Sequence, residues 1–324
     1  MVSENRMGRP MVGVLLAAAV LAVGQVQAQD EQLYVARDLV PEGTLVAAEG
    51  PAVDGDGFLY CVNIGSAGTI ARITPEGEAS LFTALPAGSK GNGIRFDESG
   101  TMYVADYAGH NILVVEMRTG AVSVLAHEPR MNQPNDLAMD MNGRLYASDP
   151  NWSANSGQLW RVDRDGTTTL LDSGMGTTNG VEVGLGDATL YVNESNQRNV
   201  WAYDLSPAGE VSNKRLLIRF DDYGMDGMRG DVEGNLYITR YGKGTVAVVS
   251  PAGDLVREVD LVADNPTNIA FGGPDGRTAY VTTADRGNVE TFRVQAPGRT
   301  WALLYSAIIC PVAPMTWGSV KSGG

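Results

Sequence analysis

Six tyrosines recur along this chain at nearly constant spacing: Tyr60, Tyr103, Tyr146, Tyr191, Tyr237 and Tyr280, separated by 43, 43, 45, 46 and 43 residues. The text around them repeats as well, in Gly57-Phe-Leu-Tyr60, Gly100-Thr-Met-Tyr103, Gly143-Arg-Leu-Tyr146 and Gly234-Asn-Leu-Tyr237. Self-similarity at this period marks a ring or array of repeated units, and the interval matches four short strands with their turns. We therefore expect an all-β fold, a six-bladed β-propeller with four antiparallel strands per blade. A propeller aims the same position of every blade at one central axis. The residue that recurs there decides what the molecule can bind.

The second repeat shows the grammar. Strands are expected at 93–97, 102–106, 111–116 and 121–126, because alternating and β-branched apolar residues lie there between Asp/Gly turns. Equivalent third strands fall at 158–162, 200–203, 245–249 and 289–293. No run of helical periodicity stands out after residue 28, which argues against α/β folds. Each repeated tyrosine opens a second strand. A residue kept in every blade serves the fold first, so these are expected to pack between blades with the hydroxyl bonded near the rim.

The ends differ from the repeats. Arg6 and Arg9 precede an apolar run, and Val26-Gln27-Ala28 suits a small-x-small cleavage site, so residues 1–28 read as a secretory signal peptide. The expected organisation is 1–28 signal peptide, 29–306 propeller and 307–324 an irregular C-terminal tail. The product would be exported, periplasmic or secreted. Two segments compete to supply the outer strand that closes the last blade, 32–46 and 300–305. The whole chain carries a formal net charge of −14, and losing residues 1–28 leaves it more acidic still. An acidic chain disfavours nucleic acid, and neither an anionic membrane nor a bilayer span suits the cleaved chain. A small-molecule substrate remains the expected partner. The two cysteines, Cys61 and Cys310, give little reason to expect a disulfide.

Measured from the tyrosines, the axial position is informative. Glu49, Asn92, Asn135 and Asp226 stand eleven residues before Tyr60, Tyr103, Tyr146 and Tyr237, and Asn179 and Asn268 stand twelve before Tyr191 and Tyr280. All six blades thus place a carboxylate or amide where the innermost strand opens at the channel mouth. Asx side chains start strands in many loops, but six in register with two carboxylates among them form a hard, all-oxygen donor set. That set suits Ca2+, with Mg2+, Mn2+ or Zn2+ as alternative occupants; the lack of His and Cys in the ring disfavours zinc and copper.

The text around these positions, Glu49-Gly-Pro51, Pro134-Asn-Asp136, Asn179-Gly180 and Asp226-Gly-Met228 followed by Asp231-Val-Glu-Gly-Asn-Leu-Tyr237, resembles the regucalcin/gluconolactonase family of the senescence-marker-protein type. The resemblance covers about residues 46–294 and implies a six-bladed, calcium-dependent lactonase. It puts the metal ligands on Glu49, Asn135, Asn179 and Asp226. It also implies that Asp226 is catalytic, orienting or deprotonating water or attacking directly as a nucleophile. Asn92 and Asn268 fall at ring positions that the family fills more variably. Pro266-Thr-Asn268 is more similar to diisopropylfluorophosphatase, a phosphotriesterase of the same architecture.

The chain departs from both patterns. Gln133 stands where sugar lactonases commonly carry an arginine, with Arg130 three residues earlier, and Ala270 stands where the phosphotriesterase has a histidine. Substrate-binding candidates are therefore Asn92, Asn268, Gln133, Arg130, Arg240 and Asn151, with Asp106, Asp149 and Glu194 on neighbouring loops. His110 and His127 lack any Gly-x-Ser-x-Gly elbow and are poor catalysts on this reading. The stretch Asn92-Gly-Ile-Arg-Phe-Asp97 to Asp106 also looks like an NHL-type repeat, which suggests the alternative of a non-catalytic extracellular binding propeller. Such a propeller has no need of axial carboxylates in blades one and five. A strictosidine-synthase-like propeller shares the architecture without the Asp-Gly-Met text.

Overall fold

The structure is a computed structural model that describes residues 32–309. The proposed signal peptide, Cys310 and the rest of the tail lie outside the described residues. Six four-stranded antiparallel sheets follow one another along the chain. Blade 2 consists of Gly91–Phe96, Met102–Asp106, Asn111–Val115 and Val122–His127, close to the strands expected from the repeat. The expected third strands of blades 3 to 6 appear as Ser156–Val162, Asn199–Leu205, Thr245–Val249 and Asn288–Arg293.

Blade 6 closes with the N-terminal segment. Arg37–Val40 pairs antiparallel with Asn288–Arg293, Arg37 opposite Thr291 and Val40 opposite Val289. The competing segment is a helix, α1 (Arg299–Ile309), which corrects the expectation of no helical run beyond residue 28. Its Ala/Leu-rich text favours a helix. Trp301, Leu304 and Tyr305, at i, i+3 and i+4, share one face and line a small space of about 40 Å3 with Ala52, Arg95 and Phe271. The Tyr305 hydroxyl donates to the Val53 carbonyl at 3.1 Å. Helix α1 therefore covers the end of the channel opposite the metal-type ring.

The core is divided into six apolar clusters, one between each pair of neighbouring blades, and each cluster takes one of the repeated tyrosines. Tyr60 sits edge-on to Phe96 with ring centroids 5.5 Å apart, and Tyr237 to Phe271 at 5.0 Å. The hydroxyls have a common partner that the spacing argument overlooked. Tyr60, Tyr103 and Tyr146 donate to the aspartate six residues earlier, Asp54, Asp97 and Asp140, at 3.0–3.1 Å. The other carboxylate oxygen of each aspartate accepts two backbone amides of the strand 1–2 turn, as Asp97 Oδ1 does from Ser99 and Thr101. The repeat is thus Asp-x-x-Gly-x-x-Tyr, a turn tied to an inter-blade plug. Tyr146→Phe would remove one of two donors to Asp140 Oδ2, Arg144 Nε at 2.6 Å being the other, and should cost about 1 kcal/mol, lowering Tm by a few degrees in a melting experiment. An unchanged Tm would remove the tyrosine–aspartate tie from this account.

Candidate functional site

The axial residues sit where the innermost strands open, and the backbone bends there to aim them. The ladders of blades 1, 2, 4 and 6 lose register at Leu45/Glu49/Ala52, Gly91/Ile94, Thr178/Val181 and Pro266/Asn268. In blades 3 and 5 the first strand begins only after the ring residue, at Leu137 and Met228. Such irregularities turn side chains out of the ordinary pleat alternation.

In blades 1, 2, 4 and 5 glycine follows the ring residue, and close approach between blades needs it there. A Cβ on Gly180 would stand 2.6 Å from the Asp226 carbonyl oxygen, and one on Gly50 would stand 1.9 Å from that of Asn92. The Gly180 amide instead donates to the Asp226 carbonyl at 3.1 Å, fastening blade 4 to blade 5. Gly180→Ala should therefore push Asn179 and Asp226 apart. Metal affinity measured by calorimetry should fall about 10–100-fold, as for other residues that orient ligands. Full affinity in that variant would contradict the packing argument.

Glu49, Asn135, Asn179 and Asp226, from four different blades, line one cavity of about 440 Å3. Asn92 and Gln133 line an adjoining space of about 340 Å3 that shares Glu49 and Asn135. Two amide oxygens of the ring, Asn92 Oδ1 and Asn179 Oδ1, are buried without a hydrogen-bond partner. Asn179 is oriented by its own amide nitrogen, which donates to Ser195 Oγ at 3.1 Å. Burial raises the Glu49 carboxyl to about 8, the nearby Asp136 charge adding to it against hydrogen bonds from Gly50 and Asn268. Asp226 is also pushed well above the usual carboxylate range, by burial first and then by the charge of Glu49. Two crowded carboxylates and orphaned amide oxygens are a donor set that a hard divalent cation satisfies. Among the described residues no three His, Cys, Asp or Glu cluster together, so a thiolate- or imidazole-rich site is not formed there.

Asn268 is buried beneath this ring, its amide nitrogen 3.4 Å from Asp136 Oδ1. The remaining substrate candidates do not line either cavity. Arg130 is two-thirds exposed and forked onto Glu128, stacked over Trp160. Arg240 is fully buried between Asp222 and Glu258. Asn151 donates to Asn132 and caps its own loop through Ala154. Asp149 clamps the loop beside the ring by accepting the amides of Asn132 and Gln133, while Asp106 and Glu194 likewise bind backbone amides. His110 bonds the Met131 carbonyl and His127 bonds Asn111, both away from the cavities.

The sequence reading missed what lies below the ring. Asp136, the residue after Asn135, is completely buried and accepts from Arg95 at 3.2 Å and from both terminal nitrogens of Arg229 at 2.8 and 3.0 Å. Backbone amides of Leu137 and Val181 complete its shell. Burial alone would raise its carboxyl, but the charges of Arg229 and Arg95 outweigh burial and hold it below the usual range. Glu182 and Arg299 of α1, 3.8 Å apart, continue this buried ionic group toward the far end of the channel. A signal was present: Arg95, Glu182 and Arg229 each stand three residues after a ring position, one step further down the same axis.

Comparison with known proteins finds similar chains. The family model described as the SMP-30/Gluconolactonase/LRE-like region matches residues 47–285. A gluconolactonase of Zymomonas mobilis is 26% identical over 276 residues, 73% of this chain and 76% of that protein. The pentonolactonase XacC of Haloferax volcanii is 31% identical over 153 residues, 46% of this chain and 53% of its own. Among solved structures, a calcium-binding regucalcin of Agrobacterium tumefaciens superposes with a TM-score of 0.69 at 20% identity, covering 81% of this chain and 97% of that one.

Proposed function

We propose, for a chain that belongs to the SMP-30/gluconolactonase/LRE-like family, the role of a calcium-dependent hydrolase of a lactone or related ester, with its active site at the channel mouth. The observation that carries the reading is the meeting of Glu49, Asn135, Asn179 and Asp226 on one cavity. The curated relatives named as lactonases support the reaction class. These four residues would hold the ion. When bound, a divalent cation supplies Lewis-acid polarisation of a substrate carbonyl.

The chain's own residues divide the remaining work. Glu49 accepts the Gly50 amide at 3.0 Å through one carboxylate oxygen, and we assign it the anchoring role. Asp226 opens on the cavity beside Met225 and Tyr241 and is the group we assign to take the proton of the attacking water. Asn193 fixes its backbone by donating to the Asp226 carbonyl at 2.6 Å, and the Asp226 amide donates to Thr239 at 3.0 Å. Asp136 and its two arginines form a buried ionic floor beneath the ring. Export is proposed on residues 1–28 alone, and the mass of the secreted protein's N-terminus checks it.

The test is acid release from a panel of lactones and esters, with Ca2+ and with chelator. Hydrolysis of a lactone that stops on chelation and returns with Ca2+ is the expected result. A protein inert toward every lactone and ester with Ca2+ present would overturn the reading and favour a binding propeller.

A further inference from the structure

The mouth of this site is built unlike a pocket for a polyol. A sugar lactone presents several hydroxyls, and holding it takes several uncommitted donors and acceptors, because a buried polar group without a partner is costly. Most polar side chains here are already spent. Ser195 Oγ donates to the Met225 carbonyl and accepts from Asn179. Asn196 donates to Asn155, and Asn63 donates to the Ala47 carbonyl while accepting the Gly68 amide. Outside the donor ring, the Gln133 amide and the polar tips of Trp152, Tyr107 and Tyr241 are the lining groups without such commitments among the described residues.

Charge excludes another class. No Lys, Arg or His lines either cavity, whereas two carboxylates do. An anionic substrate would meet no cationic side chain, and the charge of a divalent ion held there would be balanced by Glu49 and Asp226, so nothing is left over to offset a second anionic group.

What the mouth offers instead is aromatic surface. Trp152 and Tyr241 line the larger cavity and remain 42% and 43% exposed, and Tyr107 lines the smaller. Trp152 stands on a lengthened hairpin. The second strands of blades 2, 4, 5 and 6 end three residues after their tyrosine, as at Asp106 and Arg240, and that of blade 1 four residues after, at Ile64, but that of blade 3 runs on to Asn151, paired with Ser156. This extension carries Trp152 up to the cavity. Tyr241 opens a tight loop whose Gly242 amide donates to the Asp264 carbonyl at 3.0 Å and whose Lys243 amide donates to the Arg240 carbonyl. Both aromatics are therefore held on ordered hairpins.

We propose that the substrate is an uncharged lactone or ester carrying a flat apolar group that packs against Trp152 and Tyr241, and that polyhydroxylated and anionic sugar lactones are poor substrates. This rests on the hydrolase reading above and goes on to fix its substrate class. The test measures kcat/KM of the mature protein with Ca2+ for dihydrocoumarin, glucono-δ-lactone and 6-phosphogluconolactone. A preference of about 10–200-fold for dihydrocoumarin over gluconolactone is expected, the range for apolar pocket contacts, with the phosphorylated lactone last. Trp152→Ala and Tyr241→Ala should raise KM for dihydrocoumarin far more than they lower kcat, and the preference should collapse. Gluconolactone turned over faster than dihydrocoumarin would overturn the proposal and leave the hydrolase reading intact. A binding readout separates the two further: the unreactive lactam 3,4-dihydro-2-quinolinone should quench tryptophan fluorescence, and Trp152→Phe should abolish the quench. If no lactone turns over while that quench persists, the hydrolase reading fails and the aromatic site stands; if neither occurs, both fall.

Discussion

Asp226→Asn is expected to lower lactone turnover by about 10²–10⁴-fold, the usual contribution of a positioned general base, while keeping much of the affinity for Ca2+. The amide preserves an oxygen toward the ring and the backbone bonds to Asn193 and Thr239, so the site keeps its shape. What it loses is the ability to take a proton. Glu49→Gln should behave differently. It is assigned as an anchor, so its loss should appear as weakened metal binding, and activity should recover as Ca2+ is raised. The pair of variants separates holding from reacting. Undiminished kcat in Asp226→Asn would remove Asp226 from the chemistry.

Asp136→Ala is expected to destabilise the protein by about 3–5 kcal/mol, because removing one partner of a buried ion group strands the others. Arg95 and Arg229, both about 5% exposed, would be left facing each other without their common counter-charge. Burial first, and then the charge of Arg229, already hold Arg95 down to about 10. The urea midpoint should fall sharply, with the slope of the transition unchanged. If the cost comes from stranded charge rather than a lost shape, Asp136→Leu combined with Arg95→Met and Arg229→Met should recover much of the loss. A single Asp136→Ala variant of normal stability would show that the arginines find other partners, and the buried ionic floor would have to be abandoned.

The ring of donors could be read from sequence because a propeller converts a linear period into a shared axis. Once the tyrosines set the period, Glu49, Asn135, Asn179 and Asp226 had to meet, and strand boundaries such as Met102–Asp106 followed from Asp/Gly turns. Features that depend on contacts between repeats were harder to see. The tyrosine–aspartate tie was written in the text as Asp54, Asp97, Asp140 and Asp231, yet as turn residues they looked self-explanatory. Asp136 resembled one more strand-starting Asx residue, and only the convergence of Arg95 and Arg229 from blades 2 and 5 reveals its role. Arg240 and Arg130 looked like substrate grips because single-chain reading cannot see Glu258, Asp222 or Glu128 claiming them. Closure was undecided because an edge strand is recognised by its partner, and helix α1 was missed because its amphipathic face is only three residues wide. The aromatic mouth needed the extra length of one hairpin, which no repeat predicts.

Thermal melting with chelator and with added Ca2+ reads out whether the four axial residues bind a divalent cation. A ligand that binds only the folded state raises its stability by mass action, about 2.7 kcal/mol at a hundredfold excess over Kd. The pH dependence gives the result a sign. Glu49 is raised from 4.5 to about 8, so in the metal-free protein its contribution to stability is present below pH 4.5 and is lost as pH rises toward 8. Ca2+ needs the carboxylates deprotonated, so the stabilisation it confers should grow over the same window and release protons on binding. Tm should fall with chelator and rise with Ca2+, the two values separating more widely at pH 8 than at pH 5. A Tm indifferent to both chelator and Ca2+ across that range would contradict cation binding by the four axial residues.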